Sequence, residues 1–197
     1  MLLNNCSALV TDDIINQQSM KSISIPYAGL YSPTNERDRV NAVSLLNLIQ
    51  NHEDAFCRSR IQGHVTASAF VVNPAHSHVI LTNHAKLDCW LQLGGHCDGE
   101  RDPLAVAQRE AREESGLTDI RVARPEIFDI DIHQIPEHHD TPAHQHYDIR
   151  YLLVAEMSEP LRPSVESHDL AWVPLSRLAY YTDKPSVLVL SHKLETL

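Results

Sequence analysis

At 197 residues, 43% apolar and 21% charged, the chain is long enough for one well-cored domain with an extension and too short for two comfortable domains. No apolar run approaches the roughly 18 residues of a membrane span, and Met1–Val10 lacks the basic start of a secretory signal, which points to a soluble, cytoplasmic protein with no membrane partner. A formal charge of −10 argues against a generic nucleic-acid surface, and it means that any chemistry on phosphates needs local positive charge, for which bound divalent cations are the obvious source.

Residues 1–31 show no sustained periodicity and read as an arm or irregular lead-in. Ser32-Pro33-Thr34 then supplies helix-start chemistry, and Ala42, Leu45, Leu46 and Ile49 recur at helical spacing. That stripe requires a partner surface on the main domain or on a second subunit, so a homodimer is among the expected arrangements. Residues 1–60 are thus read as an arm and helix, and 61–197 as the main domain.

From Gly63 the period changes. Val65–Asn73 is a predicted strand closed by Pro74, and Val79–Thr82 and Trp90–Leu93 are two more. Asp102-Pro103 is an N-cap before a first-turn proline, and the helix it opens runs to Ser115, where Gly116 stops it. Ile127–Ile132 and Tyr147–Ala155 are further strands, separated by the polar loop Gln134–Gln145. Trp172–Leu175 introduces a short turn, and Pro185–Leu194 reads as a final helix. Strands before and after one strongly marked helix indicate an α/β or α+β layered domain. Cys6, Cys57, Cys89 and Cys97 contain no CxxC pair and are expected to be free thiols in a reducing compartment.

The chemistry concentrates in Gly95–Leu117. On the helix, Glu110, Glu113 and Glu114 stand at i, i+3 and i+4, within about 100° of arc. Like charges so placed repel, and Arg109 and Arg112 offset only part of the repulsion. A hard cation such as Mg²⁺ among the carboxylates relieves it, taking oxygen ligands from protein, water and substrate phosphate. Leu104, Ala107 and Ala111 form an opposite face small enough to lie close against a sheet.

Gly95, Arg109, Glu110, Ala111, Glu113, Glu114, Gly116 and Leu117 match, in spacing, the Nudix box: Gly, five residues, Glu, seven residues, Arg-Glu-apolar-x-Glu-Glu-x-Gly-apolar. Gly63–Ala69, Trp90-Leu91-Gln92 and Trp172–Leu175 are also similar to the Nudix family. The resemblance implies a Nudix α/β/α sandwich with a mixed sheet, here carrying an N-terminal helical extension. It implies a Mg²⁺- or Mn²⁺-dependent hydrolase of a phosphoanhydride bond in a nucleoside triphosphate or nucleoside diphosphate derivative. Glu110, Glu114, Glu113 and the Gly95 carbonyl are the implied metal ligands, with Arg109 orienting the carboxylates. One position departs: Arg101 stands where the family has Glu, and Glu100 lies one residue early. Glu100 is expected to reach the same place by another loop path, failing which Asp98 substitutes or the carboxylate is missing.

The general base is not carried over from the family. Glu137, His138, His139, Asp140, His144 and His146 are available in the late loop. Alternation places His144, His146 and Asp148 on one face, and Asp129, Asp131 and His133 on another; if the strands are neighbours, these faces make one His/Asp patch. Three readings stand for it: a catalytic and recognition wall in which His146 or Glu137 helps deprotonate water, a transition-metal site, and a solvated loop. His96, His144, Trp90 and Tyr147 are the expected substrate contacts, the aromatic pair as base-stacking groups. The alternative function is a catalytically inactive Nudix domain that senses or binds a nucleotide.

Overall fold

The computed structural model describes residues 21–137, 141–165 and 167–197. His138, His139, Asp140 and Cys6 lie outside the described residues. Cys57, Cys89 and Cys97 are free thiols. No helix among the described residues is long and apolar enough to cross a membrane.

Residues 21–31 are more ordered than their composition suggests. Strands β1 (Ile23–Ile25) and β2 (Gly29–Tyr31) pair as an antiparallel hairpin, each too short for alternation to show in the sequence. Helix α1 (Glu36–Asn51) starts at Asn35, whose side chain accepts from the Asp38 N–H. Ala42, Leu45, Leu48 and Ile49 bury in the same core as the sheet, and Asn41 donates to the Ile130 carbonyl at 2.9 Å. The stripe therefore finds its partner surface within the chain and does not call for a second subunit.

The main sheet contains β3 (Gly63–Val72), β4 (His78–His84), β5 (Cys89–Leu91), β6 (Leu93–His96), β7 (Ile120–Val122), β8 (Asp129–Ile135), β9 (His144–Ala155) and β10 (Ser167–Pro174). Its path runs β10-β4-β3-β9-β7, with β6 on β3, β5 on β4 and β8 on β9. Among the described residues β3 and β9 pair in parallel and the other pairs are antiparallel, so the sheet is mixed. Helix α2 (Pro103–Ser115) packs on the face carrying Val65, Ala67, Ala69, Ile149 and Tyr151. Helix α4 (Pro185–Glu195) packs on the other, against Phe70, Val72, Leu81 and Leu152; a short α3 (Leu178–Tyr181) precedes it. Strand β10 leads into a short 3-10 turn at Leu175–Arg177, and β8 and β9 run further into the late loop than expected.

A buried ionic network joins these layers. Arg150, 1% exposed, donates through Nε to Asp148 at 2.7 Å, through Nη1 to Asp129 at 3.2 Å and the Ser186 carbonyl at 2.7 Å, and through Nη2 to Asp131 at 3.1 Å. Lys193 of α4 lies 2.7 Å from both Asp38 and Asp129. Arg37 pairs with Asp131. Burial pushes the Asp38 carboxyl up, but hydrogen bonds from Lys193 and Thr34 outweigh it and hold the group below its usual range. Asp131 is likewise held low, its burial overcome by His133 and Arg150.

Removing one partner of a buried pair leaves an uncompensated charge. Lys193→Met is expected to cost about 3–5 kcal/mol in urea denaturation at pH 7. Since Asp38 and Asp131 have folded values below their unfolded ones, near 3.9, their stabilisation is complete above about pH 4 and is lost as pH falls through the folded values. Asp131→Asn should therefore show a shallower acid limb than wild type in stability measured against pH.

Candidate active site

Helix α2 is fixed at both ends. The Asp102 side chain accepts from the Ala105 N–H at 3.0 Å, and Gly116, at φ 70°, donates its N–H to the Arg112 carbonyl at 2.8 Å. Val106, Ala107 and Ala111 are fully buried, which presses the helix against β3 and β6 and settles where its carboxylates stand.

Glu114 is 7% exposed and accepts from the Gly94 N–H at 2.9 Å. Glu110 lies so close to Gly95 that a Cβ there would sit 2.6 Å from its carboxylate. A side chain at position 95 would thus displace the Glu110 carboxylate. Arg109 bridges two glutamates, donating to Glu100 at 2.5 Å and Glu110 at 3.2 Å. Glu113 is exposed on the next turn.

The irregular half of the box has a simple geometry. Asp98 and Gly99 both take positive φ, 51° and 90°, and the Glu100 N–H returns to the Cys97 carbonyl at 2.9 Å. This tight reversal aims Glu100 at Arg109. Arg101 turns the other way: it lies over the Tyr27 ring, 5.4 Å from its centroid, and donates to the Glu53 carbonyl at 2.9 Å. Asp98 pairs with Arg58.

Arg109 pairs with Glu100 and Glu110, while Arg112 donates to the Gln108 and Ile120 carbonyls. A donor set of carboxylate oxygens fits a hard divalent cation such as Mg²⁺ or Mn²⁺. The missing Cβ at Gly95 leaves room for the Glu110 carboxylate beside β6.

A second cluster occupies the other face of the same strands. His64 (β3), His96 (β6), His133 (β8), and His144 and His146 (β9) converge, with ring centroids 4.9 Å apart for His64–His146 and 5.1 Å for His96–His146. Strands β8 and β9 are neighbours, with His133 opposite His146 and Asp131 opposite Asp148, so the alternating faces do form one His/Asp patch. His144 is buried, unlike a residue of a solvated loop, and so is His64 opposite it. Burial, and then the surrounding imidazoles, holds His146 down at about 2; burial first, then Arg58 and neighbouring imidazoles, holds His96 at about 4. Both are neutral at physiological pH, and His146 is a weak proton acceptor there.

The remaining expected contacts are dispersed. Trp90 meets Tyr181 edge to face at 5.3 Å, beside a cleft of about 370 Å³ that also includes Asn83, Cys89 and Asp183. Tyr147 packs against the α2-side core, on the opposite face of β9 from His146, and its hydroxyl donates to Gln145 at 3.1 Å. Glu137 is exposed after β8. His64 was not singled out from the sequence. Its alternation with Thr66 and Ser68 was the available signal, but only the parallel β3–β9 pairing sets it opposite His146.

The NUDIX domain family model matches residues 63–191, and the chain belongs to the Nudix hydrolase family. No curated protein matches it. Among solved structures it is similar to the MutT protein of Methanosarcina mazei Go1 (14% identity, TM-score 0.52, 70% of this chain and 96% of that one). It is also similar to the C. elegans Ap4A hydrolase (16%, 0.51, 67% and 96%) and the E. coli dihydroneopterin triphosphate pyrophosphohydrolase (13%, 0.51, 66% and 92%). At such identities the likeness establishes the fold, a mixed sheet between helical layers.

Gly95→Ala tests the close approach of Glu110 to position 95. The added methyl displaces Glu110 while φ stays permissible, so Mn²⁺ affinity read by electron paramagnetic resonance should fall about 10-fold or more. The melting curve should stay close to wild type.

Proposed function

We propose that the chain hydrolyses a phosphoanhydride bond in a nucleoside triphosphate or nucleoside diphosphate derivative, using Mg²⁺ or Mn²⁺ held by Glu110, Glu114, Glu113 and the Gly95 carbonyl. The observation that carries this reading is Arg109 bridging Glu100 and Glu110 beside Gly95. It supports Glu100 in the role of the box carboxylate absent at position 101, reached through the Asp98–Gly99 reversal.

The cation supplies polarisation of a phosphoryl oxygen and activation of the attacking water. The chain's own groups do the rest. Arg109 fixes two carboxylates through charge-assisted hydrogen bonds, so they need not reorganise during reaction. The Gly94 N–H orients Glu114. Glu100 or the exposed Glu113 takes the water's proton, a task for which the depressed basicity of His146 suits it less; Glu137 stands further along the chain at the same surface exposure. Trp90, with Tyr181 beside the cleft, offers an aromatic face to a nucleobase.

The test is release of phosphate or mononucleotide from a panel of nucleoside triphosphates, dinucleoside polyphosphates and nucleoside diphosphate sugars with Mg²⁺. Glu114→Gln should reduce turnover of the best substrate at least about 100-fold with little change in fold. Undiminished turnover would remove the role given to Glu114. Tight nucleotide binding without turnover by wild type, at several metals and pH values, would favour a sensing module instead.

A further inference from the structure

We propose that His64, His144 and His146 form a binding site for a borderline divalent transition ion of the Zn²⁺ class, separate from the glutamates of α2, with His96 lining its open side.

The tautomers are set by the main chain. His64 Nδ1 lies 3.2 Å from the Arg60 carbonyl and His144 Nδ1 lies 2.8 Å from the Pro142 carbonyl. A carbonyl only accepts, so each Nδ1 carries the proton and each Nε2 is a bare lone pair. This is the outer-shell arrangement that orients metal-binding imidazoles. His64, 2% exposed, has no hydrogen-bond partner for its buried Nε2 among the described residues. A buried acceptor normally finds a donor, so this atom points to a missing ligand.

The spacing agrees. His144 Nε2 and His146 Nε2 are 3.2 Å apart. Two nitrogens at about 2.0–2.1 Å from a tetrahedral Zn²⁺ stand about 3.4 Å from each other. One ligand atom from each of His64, His144 and His146 lies within 4.8 Å of the others, so the set closes with small side-chain rotations. The N–H···N contact that joins His144 and His146 is exchanged for two bonds to the ion, with the His146 proton moving to its other nitrogen.

The donors are neutral nitrogens throughout. Imidazole favours Zn²⁺, Cu²⁺, Ni²⁺ or Fe²⁺ over Mg²⁺, which prefers oxygen. Beside the site, Asp38, Asp129, Asp131 and Asp148 exceed Arg37, Arg150 and Lys193 by one charge, and Asp131 accepts from His133, whose ring lies 5.6 Å from His146. The surroundings thus favour a cation. Three imidazoles plus one open position leave room for His96 or water.

The experiment uses the untagged full-length protein, stripped with chelator, reloaded with Zn²⁺ and dialysed against excess Mg²⁺. The expected result is one equivalent of zinc by elemental analysis, lost in His64→Gln and His144→Gln and kept in Glu114→Gln. Substoichiometric zinc, zinc retained in both histidine variants, or zinc lost in Glu114→Gln would each overturn the assignment. Should a histidine variant fail to fold, the zinc X-ray absorption spectrum of wild type decides. Three or more imidazole nitrogens near 2.0 Å support the site, and an oxygen-dominated shell refutes it. The outcome does not depend on hydrolytic activity, so it stands or falls apart from the reading of α2.

Discussion

Arg150 sits where β8, β9 and α4 meet. Its guanidinium, sealed from solvent, is shared among Asp129, Asp131 and Asp148, and Asp129 in turn meets Lys193 from the final helix. Lys193 closes the circuit through Asp38 at the start of α1. So costly a set of buried charges persists only when every member is paired, and the pairing fixes β8, β9, α1 and α4 relative to one another. Asp148 also accepts from Thr66 at 3.0 Å and Ser68 at 2.7 Å, which ties β3 into the same arrangement.

From this frame β6 divides two chemistries. Gly95 faces α2 and admits the Glu110 carboxylate; His96, the next residue, joins the imidazoles on the other side. Oxygen donors collect around the helix and nitrogen donors collect beneath the sheet, separated by one strand. Hard and borderline cations would therefore be sorted by which face they meet, without any change in the backbone.

Much of this was legible in the sequence, and the reasons are local. Asp102-Pro103 and Gly116 delimit α2 by capping chemistry that depends on a few adjacent residues, and the structure ends the helix where they say. The Ala42–Ile49 stripe announced α1, and alternation announced the two faces of β8 and β9. What escaped was non-local. Arg150 and Lys193 look like ordinary surface cations until the fold brings four aspartates to them. The β1–β2 hairpin and β7 are three residues per strand, too short for periodicity, and β10 is masked by its mixed exposure. His64 acquires meaning only through a parallel pairing with a strand about 80 residues away. The path that turns Glu100 toward Arg109 depends on the positive φ of Asp98 and Gly99, which no spacing rule reports.

On the proposed reading, a divalent cation among the α2 glutamates drives hydrolysis. Mn²⁺ occupancy by electron paramagnetic resonance and nucleotide hydrolysis, followed in the same samples for wild type and Glu110→Gln across a Mn²⁺ titration, test it. Turnover should rise in proportion to bound Mn²⁺ in wild type, and the substitution should remove both together. Hydrolysis that proceeds with the glutamate site empty, or full Mn²⁺ occupancy in Glu110→Gln, would contradict it.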